Sequence, residues 1–139
     1  MGALVELKDE GKIRHISLSN VNEDQLRAAQ RLTPIVSIQN RYNLTDRDSD
    51  PLVDVCEIES LAFLPWGPIQ EAKGVAVVDR VAKAHGATPT QVVLAWLLAR
   101  SPAMLPIPGT GSVAHLEENV AAAGLQLTPD EVAELNEAR

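Results

Sequence analysis

Residues Met104–Asn119, MLPIPGTGSVAHLEEN, carry the clearest chemical possibility in this chain: an apolar run ends in Ile107-Pro108-Gly109-Thr110-Gly111-Ser112 and passes directly into a helix. Glycines at 109 and 111 let a backbone approach a ligand closely. A helix that opens at Ser112 offers unpaired N–H groups and the positive end of its dipole, which together suit a phosphate. The same segment also reads as an ordinary strand-to-helix turn, so its meaning depends on the elements that position it.

Those elements repeat one order, helix then strand. Residues 3–10 place Leu4 and Leu7 on one face and stop at Gly11, ahead of an alternating strand over Ile13–Leu18. Asn22, with Gln25 three residues on, caps a helix whose apolar face carries Leu26, Ala29 and Leu32, and Pro34 ends it before a strand at Ile35–Gln39. Asp50-Pro51 opens a third helix with Leu52, Val53 and Cys56 inward, and Leu61–Trp66 forms a short apolar strand. After a loop at 67–73, Val75–His85 reads as a helix closed by Gly86. Thr88-Pro89-Thr90-Gln91 is a capping box that opens a helix running to Arg100. Pro102 breaks it, and Met104–Ile107 is the fourth strand. Ser112 starts the next helix with Leu116 and Val120 inward, Gly124 closes it, and Thr128–Glu131 caps a last helix bearing Val132 and Leu135. No linker divides residues 1–139, which read as one unit.

Composition narrows the functional classes. A chain of 139 residues can bury roughly two-thirds of its unfolded surface, and with aromatics restricted to Tyr42, Phe63, Trp66 and Trp96 its core must be mostly aliphatic. A net charge of -7 with scattered Lys and Arg argues against nucleic acid or an anionic membrane as partner. No apolar stretch approaches the roughly 18 residues of a membrane span, and no leader-like pattern opens the chain, so a cytoplasmic protein is expected. Cys56 has no partner for a disulfide and reads as a core thiol. His15, His85 and His115 lie too far apart in sequence to show metal-ligand spacing.

Alternating helices and short apolar strands imply a parallel sheet, either a small open one or half of an eight-stranded barrel. Ligands of such folds sit at the carboxyl ends of the strands. Here those ends carry Ser19-Asn20, Gln39-Asn40, Trp66-Gly67 and Ile107–Thr110: amides, a hydroxyl and an aromatic plate suited to an amide-bearing aromatic ligand above a phosphate cradle. Plainer readings stand beside these. Asn20 and Asn40 also suit turn backbone, Gln39 a sheet end, Trp66 the core and His115 a solvent-facing helix position.

Four segments in order, GKIRHISLSN, VSIQNRYN, FLPWGPI and IPGTGSVAHLEENVAAAG, resemble successive barrel segments of the aldo-keto reductase superfamily, and the likeness spans nearly the whole chain. The resemblance implies an α/β fold, the C-terminal half of a (β/α)8 TIM barrel with about four parallel strands and outer helices, forming a single partial domain over 1–139. It implies NADP(H), with NAD(H) as an alternative, held across the carboxyl rim for the reduction of small aldehydes and ketones; the resemblance to bacterial members with short loops, like that at 67–73, implies a pyridoxal-like aldehyde among them. By the same resemblance, Ser19, Asn20 and Gln39 hydrogen-bond the nicotinamide carboxamide and Trp66 stacks under its ring. Gly67, Pro68 and Ile69 then lie along the pyrophosphate, Ile107, Gly109, Thr110 and Ser112 form the phosphate turn, and Glu118 and Asn119 contact adenine. Two departures bear on cofactor choice: Gly109 stands where lysine is frequent, and His115 where arginine is frequent. A protonated His115 and the helix N-terminus remain to meet a 2'-phosphate.

The tyrosine, lysine, aspartate and histidine that such enzymes use for acid catalysis belong to strands that precede the matching region. Tyr42, Lys73 and Lys83 match none of them, so the isolated chain is expected to be nearly inactive. Two further roles stay open, a non-catalytic nucleotide-binding or regulatory module and an inactive truncated remnant. Four barrel strands leave two unpaired edges and an uncovered lining, expected to be apolar. The isolated chain should therefore self-associate or require an N-terminal barrel half. Size-exclusion chromatography at micromolar concentration is expected to show oligomers or a smear, whereas a sharp monomer peak with cooperative unfolding would contradict it.

Overall fold

The computed structural model describes residues 1–70 and 74–138. Side-chain caps begin four of the seven α-helices among the described residues. In α2 (Glu23–Gln30), α5 (Pro89–Arg100) and α7 (Pro129–Asn136) the cap and the third helical residue bond reciprocally, Asn22 with Gln25, Thr88 with Gln91 and Thr128 with Glu131, satisfying two otherwise orphaned N–H groups each. Ser112 caps α6 (Val113–Ala121) by accepting from the His115 N–H, and a 3-10 turn, Ala122–Gly124, extends it. Pro51 occupies the first turn of α3 (Asp50–Glu59), where its missing N–H costs nothing. The helix ends at Ser60, a non-glycine residue in the left-handed region at φ +57°. Gly86, at φ +61°, closes α4 (Ala76–His85) as its position suggests. The amino-terminal α1 (Gly2–Asp9) buries no residue, with Leu4 exposed. Lys73 and the end of the 67–73 loop lie outside the described residues.

Three parallel strands, β1 (Ile16–Ser19), β2 (Ile35–Gln39) and β3 (Ala62–Phe63), form a sheet with β2 in the centre. The register sets Leu18 beside Ile38 and Ile38 beside Phe63, and Ile38 and Phe63 are fully buried. On the opposite face Ser17 pairs with Ser37, whose hydroxyl donates to it at 2.6 Å, and Ser19 pairs with Gln39. Helices thus cover one face only. A doubly wound sheet would bury both, so the arrangement is that of a barrel segment.

Three strand expectations need correction, and proline explains two of them. The strand expected at Leu61–Trp66 pairs regularly only at Ala62–Phe63, and Pro65 interrupts the donors, although Leu64 N–H still reaches Ile38 O at 2.8 Å. The fourth strand reduces to a single parallel bridge from Met104 to Phe63, held by Phe63 N–H to Ala103 O and Leu105 N–H to Phe63 O, both 2.8 Å. Pro106 and Pro108 cannot continue that ladder. The first strand starts at Ile16 rather than Ile13, where its partner strand begins after Pro34. Apolar faces also need correction: Leu32 is 62% exposed beyond the end of α2, and Leu116 and Val120, expected inward, are 53% and 67% exposed. Leu26, Ala29, Leu52, Val53, Cys56 and Leu135 are buried as their spacing requires, and burial pushes the Cys56 thiol up to about 11.

An aromatic group centres the core. Tyr42 stacks on Trp96 with centroids 6.0 Å apart and meets Phe63 edge-on at 5.8 Å. The Tyr42 hydroxyl donates to Asp50 Oδ1 at 2.6 Å, and Arg100 bonds Asp50 and Asp54. Trp96 Nε1–H donates to Asn136 Oδ1 at 2.9 Å, fastening α7. Arg47 lies over the Trp96 ring at 4.6 Å and donates to the Leu44, Leu135 and Asn136 carbonyls, closing the carboxyl end of α7. Arg47→Ala should cost about 1–3 kcal/mol in urea unfolding, because charged hydrogen bonds and a cation–π contact are lost together. Arg80→Ala, which removes an exposed ion pair with Glu134, should stay within about 1 kcal/mol of the wild type.

Candidate functional site at the carboxyl rim

A parallel sheet delivers the ends of all its strands to one edge, and here that edge collects Ser19, Asn20, Gln39 and Trp66. Ser19 and Gln39 are register partners, so their side chains leave the same face. Neither side chain has a hydrogen-bond partner among the described residues, leaving a hydroxyl and a complete amide for a ligand. Asn20 turns out of β1 in the left-handed region at φ +53°, which asparagine tolerates better than most residues, and its N–H donates to Gln39 O at 3.0 Å. Trp66 Nε1–H donates to Asn20 Oδ1 at 2.8 Å. The ring is half-buried, so a core role does not account for it.

Asn40 takes the plainer role of the two open to it. Its amide accepts from Val21 N–H at 3.1 Å and donates to Val21 O at 2.7 Å, satisfying turn backbone inside the fold. Gly67 is favoured by its backbone: φ is +65°, a conformation that other residues adopt only with strain. Pro68 is buried behind it and Ile69 packs against the core. Together these hold the loop start close under the rim.

Residues 107–119 form a second group, joined to the first by no hydrogen bond among the described residues. Neither Gly109 nor Gly111 has positive φ, and the space around both is open, so no part of the chain demands glycine there. Thr110 Oγ1 accepts from Ser112 N–H at 3.1 Å and Ser112 Oγ accepts from His115 N–H at 3.4 Å. Both hydroxyls act as acceptors, which leaves their O–H groups free to donate to an anion. His115 is exposed. Glu118 is engaged: it accepts from the Thr88 hydroxyl, and its backbone carbonyl accepts from Gln91 Nε2 at 3.1 Å, tying α6 to the cap of α5. Ile107, Gly109 and Asn119 line an apolar groove of about 610 Å³ with Leu94, Leu116 and Val120. No Lys or Arg lies between 104 and 119, so the segment itself offers an anion dipoles and hydroxyls.

Sequence reasoning missed two residues that build this rim. Arg41 lies over the Trp66 ring at 5.7 Å and pairs with Asp46 at 3.0 Å. Asn43 is fully buried, accepts from the Thr45 and Asp46 N–H groups and donates to Gly67 O at 3.3 Å. The pattern Asn43-Leu44-Thr45-Asp46 carried a signal for the second, an Asx turn. Among the described residues no His, Cys, Asp and Glu group is arranged to hold a metal, and no helix is long and apolar enough to cross a membrane. A nicotinamide dinucleotide fits the donor set: free amide and hydroxyl groups beside a half-exposed aromatic, with a helix-start turn on the same rim.

Known proteins share this sequence and fold. The profile of the aldo/keto reductase family matches residues 1–139. An uncharacterised oxidoreductase of Schizosaccharomyces pombe is 44% identical over 137 residues, and pyridoxine 4-dehydrogenase of Escherichia coli is 42% identical over 135. Each match takes in 96% of this chain but only 45% and 47% of the relative, so the chain spans about half the length of the curated relatives it matches. A thermostable aldo-keto reductase solved with the inhibitor epalrestat superposes with a TM-score of 0.90 at 32% identity, over 99% of this chain and 53% of that one. A variant of Gox0644 solved in complex with NADPH superposes with a TM-score of 0.85 at 25% identity, over 99% and 51%. The chain therefore belongs to the aldo/keto reductase family of oxidoreductases, and its sheet and helices are part of that family's TIM barrel.

Proposed function

We propose that this chain is the cofactor-binding part of an NADP(H)-dependent oxidoreductase acting on small aldehydes or ketones, with NAD(H) as the alternative cofactor. The observation that carries the reading is the convergence of Ser19, Asn20, Gln39 and Trp66 at one edge of a parallel sheet, with two polar side chains unengaged among the described residues beside a half-buried indole. Ser19, Asn20 and Gln39 hold the nicotinamide carboxamide, and Trp66 supports the ring face. Gly67 and Ile69 line the path of the pyrophosphate. Ile107, Gly109, Thr110 and Ser112 receive the phosphate, with His115 near it and Glu118 and Asn119 toward the adenine. When bound, the dinucleotide supplies the hydride. The pyridoxine 4-dehydrogenase among the relatives supports a pyridoxal-like aldehyde as one substrate.

A segment completing the barrel is the partner proposed. Eight strands need eight outer helices, and this chain supplies α1 before its first strand as well as α6 after the Met104 bridge. Two copies would place two helices at each junction. With α1, α2, α3, the α4–α5 connection and α6 each counted as one outer position, four strands and three outer positions remain to be filled, which favours an N-terminal barrel half over a second copy. One observation favours a non-catalytic binding role for the chain alone. Tyr42, the single tyrosine, is fully buried, and desolvation first, then its bond to Asp50, raise its pKa far above the range useful to a general acid. Hydride transfer without a placed proton donor loses a factor of about 10² to 10⁴.

Two measurements test these statements. NADPH titration should quench the fluorescence of Trp66 while the buried Trp96 remains bright, and adding a four-stranded N-terminal half should produce carbonyl-dependent NADPH oxidation; an unchanged spectrum counts against cofactor binding. For Tyr42, alkaline titration followed by phenolate absorbance should show no ionisation of the folded chain near the ordinary value of 10.0. A raised folded pKa stabilises the chain below the unfolded pKa and is lost as pH rises through the folded one. Stability should therefore fall above about pH 10, and Tyr42→Phe should remove that part of the fall.

A further inference from the structure

The indole of Trp66 can only donate, through Nε1–H, so the Asn20 atom 2.8 Å away must be its carbonyl oxygen. That contact leaves the Asn20 NH2 directed elsewhere and makes the residue a donor toward any ligand on the rim. Gln39, with no side-chain partner among the described residues, can rotate to supply the acceptor. A bound carboxamide needs one of each, a donor for its C=O and an acceptor for its NH2. The Trp66–Asn20 bond thus decides which way round such a group lies.

Something must keep the indole in place, because it projects from a loop start and is only half-buried. Its backbone is fixed on both sides by the segment after β2: Trp66 N–H donates to Asn40 O at 3.0 Å, and Tyr42 N–H donates to Trp66 O at 3.4 Å. Its ring is approached by Arg41, whose guanidinium carbon is 5.7 Å from the centroid. Arg41 in turn is held by Asp46 at 3.0 Å, and Asp46 N–H is captured by the buried Asn43, which also donates to Gly67 O. A continuous set of contacts therefore runs from a buried asparagine through an ion pair to an indole and ends on the Asn20 amide.

We propose that Arg41, anchored by Asp46, is a positioning residue that acts through Trp66 to commit Asn20 as the hydrogen-bond donor to the carboxamide of a nicotinamide cofactor. The inference rests on the cofactor reading above, and its test separates the two.

The full chain, labelled with nitrogen-15, has two indole signals, and Trp96, bonded to Asn136, serves as the internal control. Asn20→Ala should shift one signal upfield and so assign Trp66. Arg41→Met should move or broaden that same signal and leave Trp96 unchanged, while Arg41→Lys, which keeps the cation, should restore much of its position. In calorimetric titrations Arg41→Met and Trp66→Phe should weaken NADPH binding about three- to tenfold, in line with one exposed cation–π contact or one hydrogen bond. Adenosine 2',5'-bisphosphate, which lacks the nicotinamide, should bind all variants equally. If Arg41→Met leaves the Trp66 indole signal where it was, or moves it while NADPH affinity matches the wild type, the positioning role is overturned and the cofactor reading survives. If the wild-type chain binds adenosine 2',5'-bisphosphate and NADPH equally well, the nicotinamide end contributes nothing and the positioning role again falls. Should the wild type bind neither, the cofactor reading is overturned and this inference with it.

Discussion

Tyr42 stacked on Trp96 is the contact around which the rest of the structure is arranged. Its ring joins the segment after β2 to α5, its edge meets Phe63 of β3, and its hydroxyl is satisfied by Asp50 at the start of α3. Without that acceptor a buried phenol would be left unpaired at a cost of about 1–3 kcal/mol. Arg100 compensates the Asp50 charge, so the group closes electrostatically as well as sterically. The consequence reaches the rim, because residues 40–42 that carry this anchor also hold Trp66 by backbone bonds. A tyrosine spent on that task is withdrawn from solvent and from proton transfer, and the chain has no other.

The two faces of the sheet show what kind of surface a completing segment would meet. The face away from the helices carries Ser17, Ser19, Ser37 and Gln39, with a direct hydroxyl–hydroxyl bond between the first pair of strands. The lining expected to be apolar is therefore largely polar around β1 and β2, and water can satisfy it when it stands open. Around α6 the exposed apolar residues are Leu105, Ile107, Val113, Leu116 and Val120, with Leu32 and Ile58 exposed elsewhere.

Local rules read well from this sequence and long-range ones did not. The Asn22, Thr88 and Thr128 caps were legible because a capping box is complete within four residues. Strand existence was legible, but strand length was not: Pro65, Pro106 and Pro108 remove donors, and whether that matters depends on which side a neighbour lies. Leu116 and Val120 follow helical periodicity faithfully, yet periodicity identifies an apolar face and not the presence of something to cover it. Ser19, Asn20, Gln39 and Trp66 could be selected as strand ends, since a parallel sheet fixes where strand ends go. Arg41 could not, because its importance comes from a ring 25 positions later in the chain, and nor could the Thr88 hydroxyl's bond to Glu118, which joins two helices 30 positions apart.

The balance between the two ends of the rim follows from their charges. A phosphate at Ser112 would meet the partial positive charge of one helix start, worth about 0.3–1 kcal/mol, and the hydroxyls of Thr110 and Ser112. Glu117 and Glu118 follow on the same helix, with no lysine or arginine between 104 and 119 to offset them. Charge-assisted pairing with a guanidinium, the strongest means of holding a phosphate, is not supplied by residues 104–119. On the proposed reading, discrimination by this chain must come mainly from the neutral end, where amide, hydroxyl and indole are fixed by geometry and insensitive to salt. A cofactor lacking the extra phosphate then loses little here, which is why NAD(H) stands beside NADP(H) for a chain with Gly109 and His115 at these positions.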